Sequence, residues 1–249
     1  MKRLSRKVIL ITGAASDLGK AFSKRCAMEG ASVICTDINE TAVKVLAGTL
    51  GNGSIGLYCD VVDTASIRRA VDTVEKRFGK LDGIVHNAAA ATEEGTVVSL
   101  PEVQWRKEVG VSLTGAFLVC KYAIPLMETK GTGSIVFIAS TYGHVAAPRS
   151  VAYCAAKAGL IHLAKAISAD HAHLGIRANS VSPGAIKTSR LLKRWPNLDA
   201  AETALASAHL LNRIAEPTEI SGAVAYLLSS DSAFVIGTDM LVDGGFTAT

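Results

Sequence analysis

Aromatic residues are scarce in this chain, at 5% of its 249 positions, and proline occurs only six times. A core built with few rings must be filled by Ala, Val, Ile and Leu, and these dominate the 49% apolar fraction. Such a composition suits parallel strands buried on both faces and excludes intrinsic disorder. Long apolar runs are missing too: no stretch approaches the ~18 consecutive apolar residues of a membrane span. Basic residues ahead of Val8-Ile9-Leu10-Ile11 imitate a signal peptide, but the run stops at Thr12-Gly13, so a soluble protein is expected. Cysteine pairs at metal or redox spacing are lacking. The five cysteines, Cys26, Cys35, Cys59, Cys120 and Cys154, are odd in number and scattered. They read as small buried hydrophobes in a reducing cytoplasm, with neither a disulfide framework nor a metal site. Charge of either sign is modest. Part of the net +4 comes from Lys2, Arg3, Arg6 and Lys7, read as a solvated tail. No basic stripe interleaved with aromatics marks a nucleic-acid surface. Neither a nucleic acid nor a membrane is expected as a partner.

What is present is alternation. Short β-branched runs at 7–12, 32–37, 54–60, 81–86, 134–139, 177–182 and 240–242 read as strands. Helical patterns fall between them at 17–29, 40–50, 64–78, 102–127, 151–174 and 217–229, with a polar, mostly helical segment at 188–212. Repeated β-α-β order implies parallel strands joined by right-handed crossovers. The expected fold class is α/β: a doubly wound parallel sheet of about seven strands with helices on both faces. No linker, repeat or low-complexity stretch divides the chain, so residues 1–249 are expected to form one domain.

Directly after the first strand stands Thr12-Gly13-Ala14-Ala15-Ser16-Asp17-Leu18-Gly19, and then a helix. Glycine there lets the backbone turn tightly and approach a diphosphate seated at the positive helix N-terminus. Asp37 ends the second strand roughly twenty residues on, where a carboxylate accepts hydrogen bonds from an adenosine ribose. Ile38 follows it, and no Arg or Lys stands beside Ser16. A 2′-phosphate would meet negative charge with no compensating cation, which favours NAD over NADP. Asp60-Val61 and Asn87-Ala88 end further strands facing the same crevice, the first toward the adenine and the second toward the nicotinamide. Ordinary turn chemistry is the alternative at each strand end.

Tyr153 and Lys157, four residues apart, stack on one helix face. A phenol ionises near pH ~10, and a neighbouring cation is expected to lower that toward the range of a working acid or base. Ser140 ends the preceding strand, with Gly143 soon after, so its hydroxyl is expected at the same pocket.

In these motifs the chain resembles the short-chain dehydrogenase/reductase family, over essentially its whole length. The family's TGxxxGxG turn corresponds to Thr12–Gly19, its Asn-Ala-Gly element to Asn87-Ala88-Ala89, its serine to Ser140 and its YxxxK pair to Tyr153 and Lys157. Pro183, Gly184 and Thr188 match the later Pro-Gly-x-x-x-Thr element, and Val242-Asp243-Gly244-Gly245 the C-terminus. The resemblance implies a Rossmann-like fold and hydride exchange between a secondary alcohol or its ketone and nicotinamide. It implies Tyr153 as general acid/base, Ser140 on the reacting oxygen, Lys157 on the nicotinamide ribose, and Ile186 and Thr188 on the carboxamide. It also implies a homotetramer built through the two long helices around Ser140 and the C-terminal helix and strand.

Three positions depart from the family. Asp17 replaces the middle glycine; a carboxylate ~6 Å from a diphosphate costs roughly 1–3 kcal/mol at an effective dielectric of ~20–80, offset in part if it caps the helix. Ser112 replaces the Asn of a Val-Asn-Leu-x-Gly setting, which supports a water in a proton relay to Lys157. Ala89 replaces a glycine. For the substrate, Arg190, Lys193, Arg194 and Trp195 in the 188–212 lid suit an anionic or sugar-like molecule, or else form a solvated face with one packed indole. His144 and Arg149 stand equally between substrate contact and a structural role. Oxidation of a sugar, sugar acid or similar polar alcohol is the first expectation. Reduction of a 3-oxoacyl thioester, or a non-catalytic NAD-binding or scaffold role, are the alternatives.

Overall fold

The computed structural model describes residues 2–91 and 93–248. Seven parallel strands form one sheet in the order β3-β2-β1-β4-β5-β6-β7: Val8–Thr12 (β1), Ser32–Asp37 (β2), Ile55–Tyr58 (β3), Gly83–His86 (β4), Gly133–Ile138 (β5), Ile176–Pro183 (β6) and Asp239–Val242 (β7). The expected doubly wound architecture is present. After β3 the chain crosses back to place β4 beside β1, so the order reverses there, and a crevice opens where ligands of such sheets bind.

Both faces are covered. On one side Leu10, Ile84 and Ile135 pack under α3 (Thr64–Phe78), α5 (Gly115–Glu128) and α6 (Val151–His171). On the other, Ile9, Ile11, Val85 and Val136 pack under α1 (Asp17–Met28), α2 (Glu40–Leu50) and α8 (Pro217–Leu228). Successive side chains of a strand point to opposite faces, so unbroken apolar runs supply both layers.

Three expectations need correction. The basic N-terminus is not a solvated tail: the Arg3 guanidinium forks onto Glu29 at 2.6 and 2.7 Å, and the Lys7 ammonium donates to the Leu228 carbonyl at 2.8 Å. The 102–127 helix is interrupted: α4 (Glu102–Val109) passes into a π-helical turn (Gly110–Thr114) before α5. The polar, mostly helical segment after Thr188 consists of a 3₁₀ turn (Ser189–Lys193), α7 (Leu198–Leu205) and a second 3₁₀ turn (Ala206–Ala208). Finally, Glu102–Glu128 taken together is long and apolar enough to cross a membrane by length and composition. Glu102, Arg106, Lys107, Glu108, Lys121 and Glu128 interrupt it, so it contains no unbroken apolar run of that length. In this fold its Ala116, Val119, Cys120, Ala123 and Met127 belong to the core.

Candidate active site

The crevice begins at the β1–α1 turn. Ser16 caps α1: its hydroxyl donates to the Gly13 carbonyl at 2.7 Å and accepts from the Gly19 amide at 3.1 Å. Gly13 has φ +63, and a Cβ there would lie 2.9 Å from the Ala88 Cα. A Cβ on Gly19 would lie 2.2 Å from the Gly13 carbonyl oxygen, so neither position admits a side chain. Behind the turn, the Asn87 side-chain amide reaches the Gly13 carbonyl at 2.9 Å and the Ser16 hydroxyl at 3.1 Å. Asn87 therefore braces the loop from β4. Leu18 is half-buried beside it.

Asp37 sits at the end of β2 and accepts from the Ala15 amide at 3.1 Å and the Asn39 amide at 2.9 Å. Among the described residues no cation lies within ion-pair distance of it. Asp60 accepts from the Val62 amide at 3.1 Å, which is turn chemistry, while buried Val61 packs where a Cβ on Gly115 would fall. The cradle fits a dinucleotide: a side-chain-free turn at a helix N-terminus, with a half-buried carboxylate at the next strand end.

Asp17 neither caps α1, a task Ser16 performs, nor is left free toward the cradle. Its carboxylate accepts from both the amide and the hydroxyl of Ser189, each at 2.7 Å. Partial desolvation raises its pKa, but the two Ser189 bonds together outweigh that and hold it below the usual carboxylate value. The departure from the family thus ties the nucleotide loop to the lid. Asp17→Ala is expected to raise KM for the substrate about fivefold, since an exposed charged hydrogen bond contributes about 1 kcal/mol. Steady-state kinetics checks this; an unchanged KM with altered dinucleotide affinity would assign the carboxylate to the diphosphate instead.

On the catalytic side, Ser140 stands two residues beyond β5 and caps a short 3₁₀ turn, its hydroxyl accepting from the Tyr142 amide at 3.2 Å. Tyr153 and Lys157 lie on α6, the Lys157 ammonium 5.5 Å from the Tyr153 ring centroid. That ammonium is buried and donates to the Ile138 carbonyl at 2.6 Å. The Arg190 guanidinium, from the lid, lies 5.3 Å from the centroid of the same tyrosine ring.

The expectation of a lowered phenol pKa is overturned in the protein without cofactor. Burial dominates and raises Tyr153; Arg190 and a Ser140 hydrogen bond only partly oppose it. Lys157 is itself driven down to about 7, by desolvation first and then by the Arg190 charge. Spacing in sequence places the two groups on one face; it does not reveal how dry that face is.

The remaining candidates divide. Pro183 ends β6 and Gly184 follows it, with the Gly184 amide on the Val242 carbonyl at 3.2 Å. Buried Ile186 bridges to Ala215, and half-buried Thr188 precedes the lid's 3₁₀ turn. His144 has a structural partner: its Nε2 lies 2.8 Å from Asp239, which also accepts from Ser180 and Ser182. Arg149 pairs with Glu94 at 3.6 Å, and Arg194 pairs with the same carboxylate, closing the lid onto the β4–α4 loop. Trp195 is half-buried, its amide on the Leu191 carbonyl at 3.0 Å. Ser112 is buried in the π turn and donates to Glu108 at 3.1 Å. Glu94, Ser189 and Glu108 went unnoticed in the sequence; only Glu108, one helical turn before Ser112, offered a local signal.

A cleft of roughly 480 Å³ lies elsewhere, at the opposite ends of the strands, lined by Lys7, Asp82 and Arg177. Its cations already serve backbone carbonyls, Lys7 on Leu228 and Arg177 on Val235 and Leu227. Polar groups suited to chemistry converge at the carboxyl ends instead.

The fold and this convergence define a dinucleotide-dependent oxidoreductase. A family model described as enoyl-(acyl carrier protein) reductase matches residues 13–247. The chain is 35% identical to D-threitol dehydrogenase of Mycolicibacterium smegmatis, covering 98% of this chain and 94% of that one. It is 34% identical to meso-2,3-butanediol dehydrogenase of Serratia marcescens, covering 99% and 97%. A crystal structure of a short-chain type dehydrogenase/reductase from Mycobacterium marinum superimposes with TM-score 0.91 at 30% identity, over 100% of this chain and 98% of that one. The chain belongs to the short-chain dehydrogenase/reductase family, whose dehydrogenases use nicotinamide cofactors, and is an oxidoreductase acting on CH–OH groups.

Proposed function

We propose that this protein is an NAD-dependent dehydrogenase that interconverts a polar secondary alcohol (a sugar, sugar acid or similar molecule) and its ketone or lactone. One observation carries the reading: Ser140, Tyr153 and the lid cation Arg190 gather at the carboxyl ends of the strands with the glycine cradle, whose ribose end carries Asp37, with no cation in ion-pair distance among the described residues. Gly13, Ser16, Leu18, Gly19, Asp37, Asp60, Val61, Asn87, Pro183, Gly184, Ile186 and Thr188 would hold NAD. Bound nicotinamide would exchange the hydride with the alcohol carbon.

The chain's own residues manage the proton and the oxygen. In oxidation the Tyr153 phenolate takes the alcohol proton; in reduction the phenol returns it. Ser140 holds the reacting oxygen, and Lys157 holds the ribose. Arg190 favours an electron-rich or anionic substrate beside the tyrosine. Of the other substrate candidates, His144 and Arg149 are engaged by Asp239 and Glu94, so they shape the wall rather than reach for the ligand.

Relatives named for threitol and for a butanediol support a hydroxyl-rich substrate. A homotetramer in the cytoplasm completes the reading, supported by exposed Val103, Trp105 and Phe117 along the α4–α5 face and by the absence of disulfides among the described residues. A screen of NAD reduction against sugars, sugar acids, polyols, diols and simple alcohols tests the substrate class. Activity confined to NADPH with an acetoacetyl thioester would overturn it.

A further inference from the structure

Glu108 stands between exposed Lys107 and half-buried Val109, yet is itself only 3% exposed. Its Oε1 accepts from the Ser112 hydroxyl at 3.1 Å, while its buried Oε2 has no hydrogen-bond partner. His86 is in a similar position: its ring faces the Val111–Ser112 backbone, but Nε2 has no partner of acceptable geometry. Both groups belong to the dry layer around Lys157, which is 4% exposed, and α4 and the π turn pack directly on α6. A buried carboxylate with one oxygen unsatisfied costs stability, and an apolar side chain would fill the same space more favourably. Packing therefore gives no reason for this residue.

Electrostatics does. Four groups act on the Lys157 ammonium or face it: Tyr153 on its own helix, Arg190 from the lid, His86 from β4 and Glu108 from α4. Arg190 is always cationic. His86 is pushed to about 3 by desolvation and by Lys157, so it stays neutral at working pH. Glu108 supplies the opposing charge from α4, and no ion pair within 4 Å ties it to any cation among the described residues. We infer that Glu108, pinned by Ser112, is a positioning residue: the fixed internal counter-charge that keeps Lys157 an ammonium beside Tyr153. Where the family has a neutral Asn, this chain has a serine that orients a carboxylate. The inference rests on the proposed acid/base role of Tyr153 and on Lys157 holding the ribose.

Glu108→Gln in the full chain tests it, because glutamine keeps the shape and an acceptor for Ser112. The melting temperature is expected to hold or rise. NADH affinity, followed by nicotinamide fluorescence, is expected to weaken with rising pH as Lys157 loses its proton. Removing a neighbouring anion makes the ammonium less favourable, so this weakening moves down by about one pH unit. At neutral pH kcat falls about fivefold, because lowering a pKa near 7 by one unit takes the protonated fraction from about a half to about a tenth, with KM changed less. Ser112→Ala, which frees the carboxylate without removing it, gives a smaller shift in the same direction. A binding profile for Glu108→Gln that superimposes on the wild type overturns the inference, as does a lower melting temperature with kcat and KM impaired together and no pH shift. Tyr153→Phe is measured alongside: turnover surviving there would remove the underlying reading rather than this one.

Discussion

Tyr153→Phe is expected to lower kcat by about 10²–10⁴-fold, the range that general acid/base catalysis supplies, while leaving NADH affinity within about twofold. The substitution deletes one oxygen and preserves the ring. The edge contact with Tyr142, 6.4 Å between centroids, and the Arg190 stack at 5.3 Å both remain, so the wall of the site is kept. Rapid-mixing and steady-state kinetics with NADH fluorescence separate the two effects. The wild type adds a pH signature. Burial raises the phenol above its ordinary value in the free protein, so the base form grows as pH rises; oxidation is expected to accelerate with pH and reduction to slow. Retained turnover in the phenylalanine variant would remove the tyrosine from the mechanism.

Asp37→Ala carries the second large effect. Charge-assisted hydrogen bonds to a ribose contribute about 1.5–3 kcal/mol, so NAD affinity is expected to fall about 10–100-fold. NADP affinity is expected to hold or improve, because the repelling anion at the 2′-phosphate position is gone. The same carboxylate also accepts from the Ala15 and Asn39 amides, which gives an internal control. If its main task were to hold the loop, both cofactors would weaken together. Calorimetric titration with each dinucleotide, on the alanine and asparagine variants, distinguishes these outcomes.

Both predictions use residues visible in the sequence, because both depend on short-range order. A glycine turn after a β-branched run, an Asp closing the next run and a Tyr and Lys on one helix face are all set within one or two elements. Arg190 shows the opposite case. The sequence placed it in a lid, but its position over Tyr153 depends on how the 36 residues between them return. Asp17 is further removed, meeting Ser189 across 172 positions. Its alternatives of capping and repulsion were both local, and the partner was not.

Element identities, their parallel order and the strand-end location of the site were determined by the chain alone, since periodicity and turn chemistry act over a few residues. The state of the groups in the site was decided only by the tertiary structure. Lys157 raises no alarm as a letter in a helix; enclosed by α4, β5 and the lid it sinks to about 7, and Tyr153 rises rather than falls. Desolvation depends on everything that excludes water around a group, and that belongs to the whole fold, not to any segment of it.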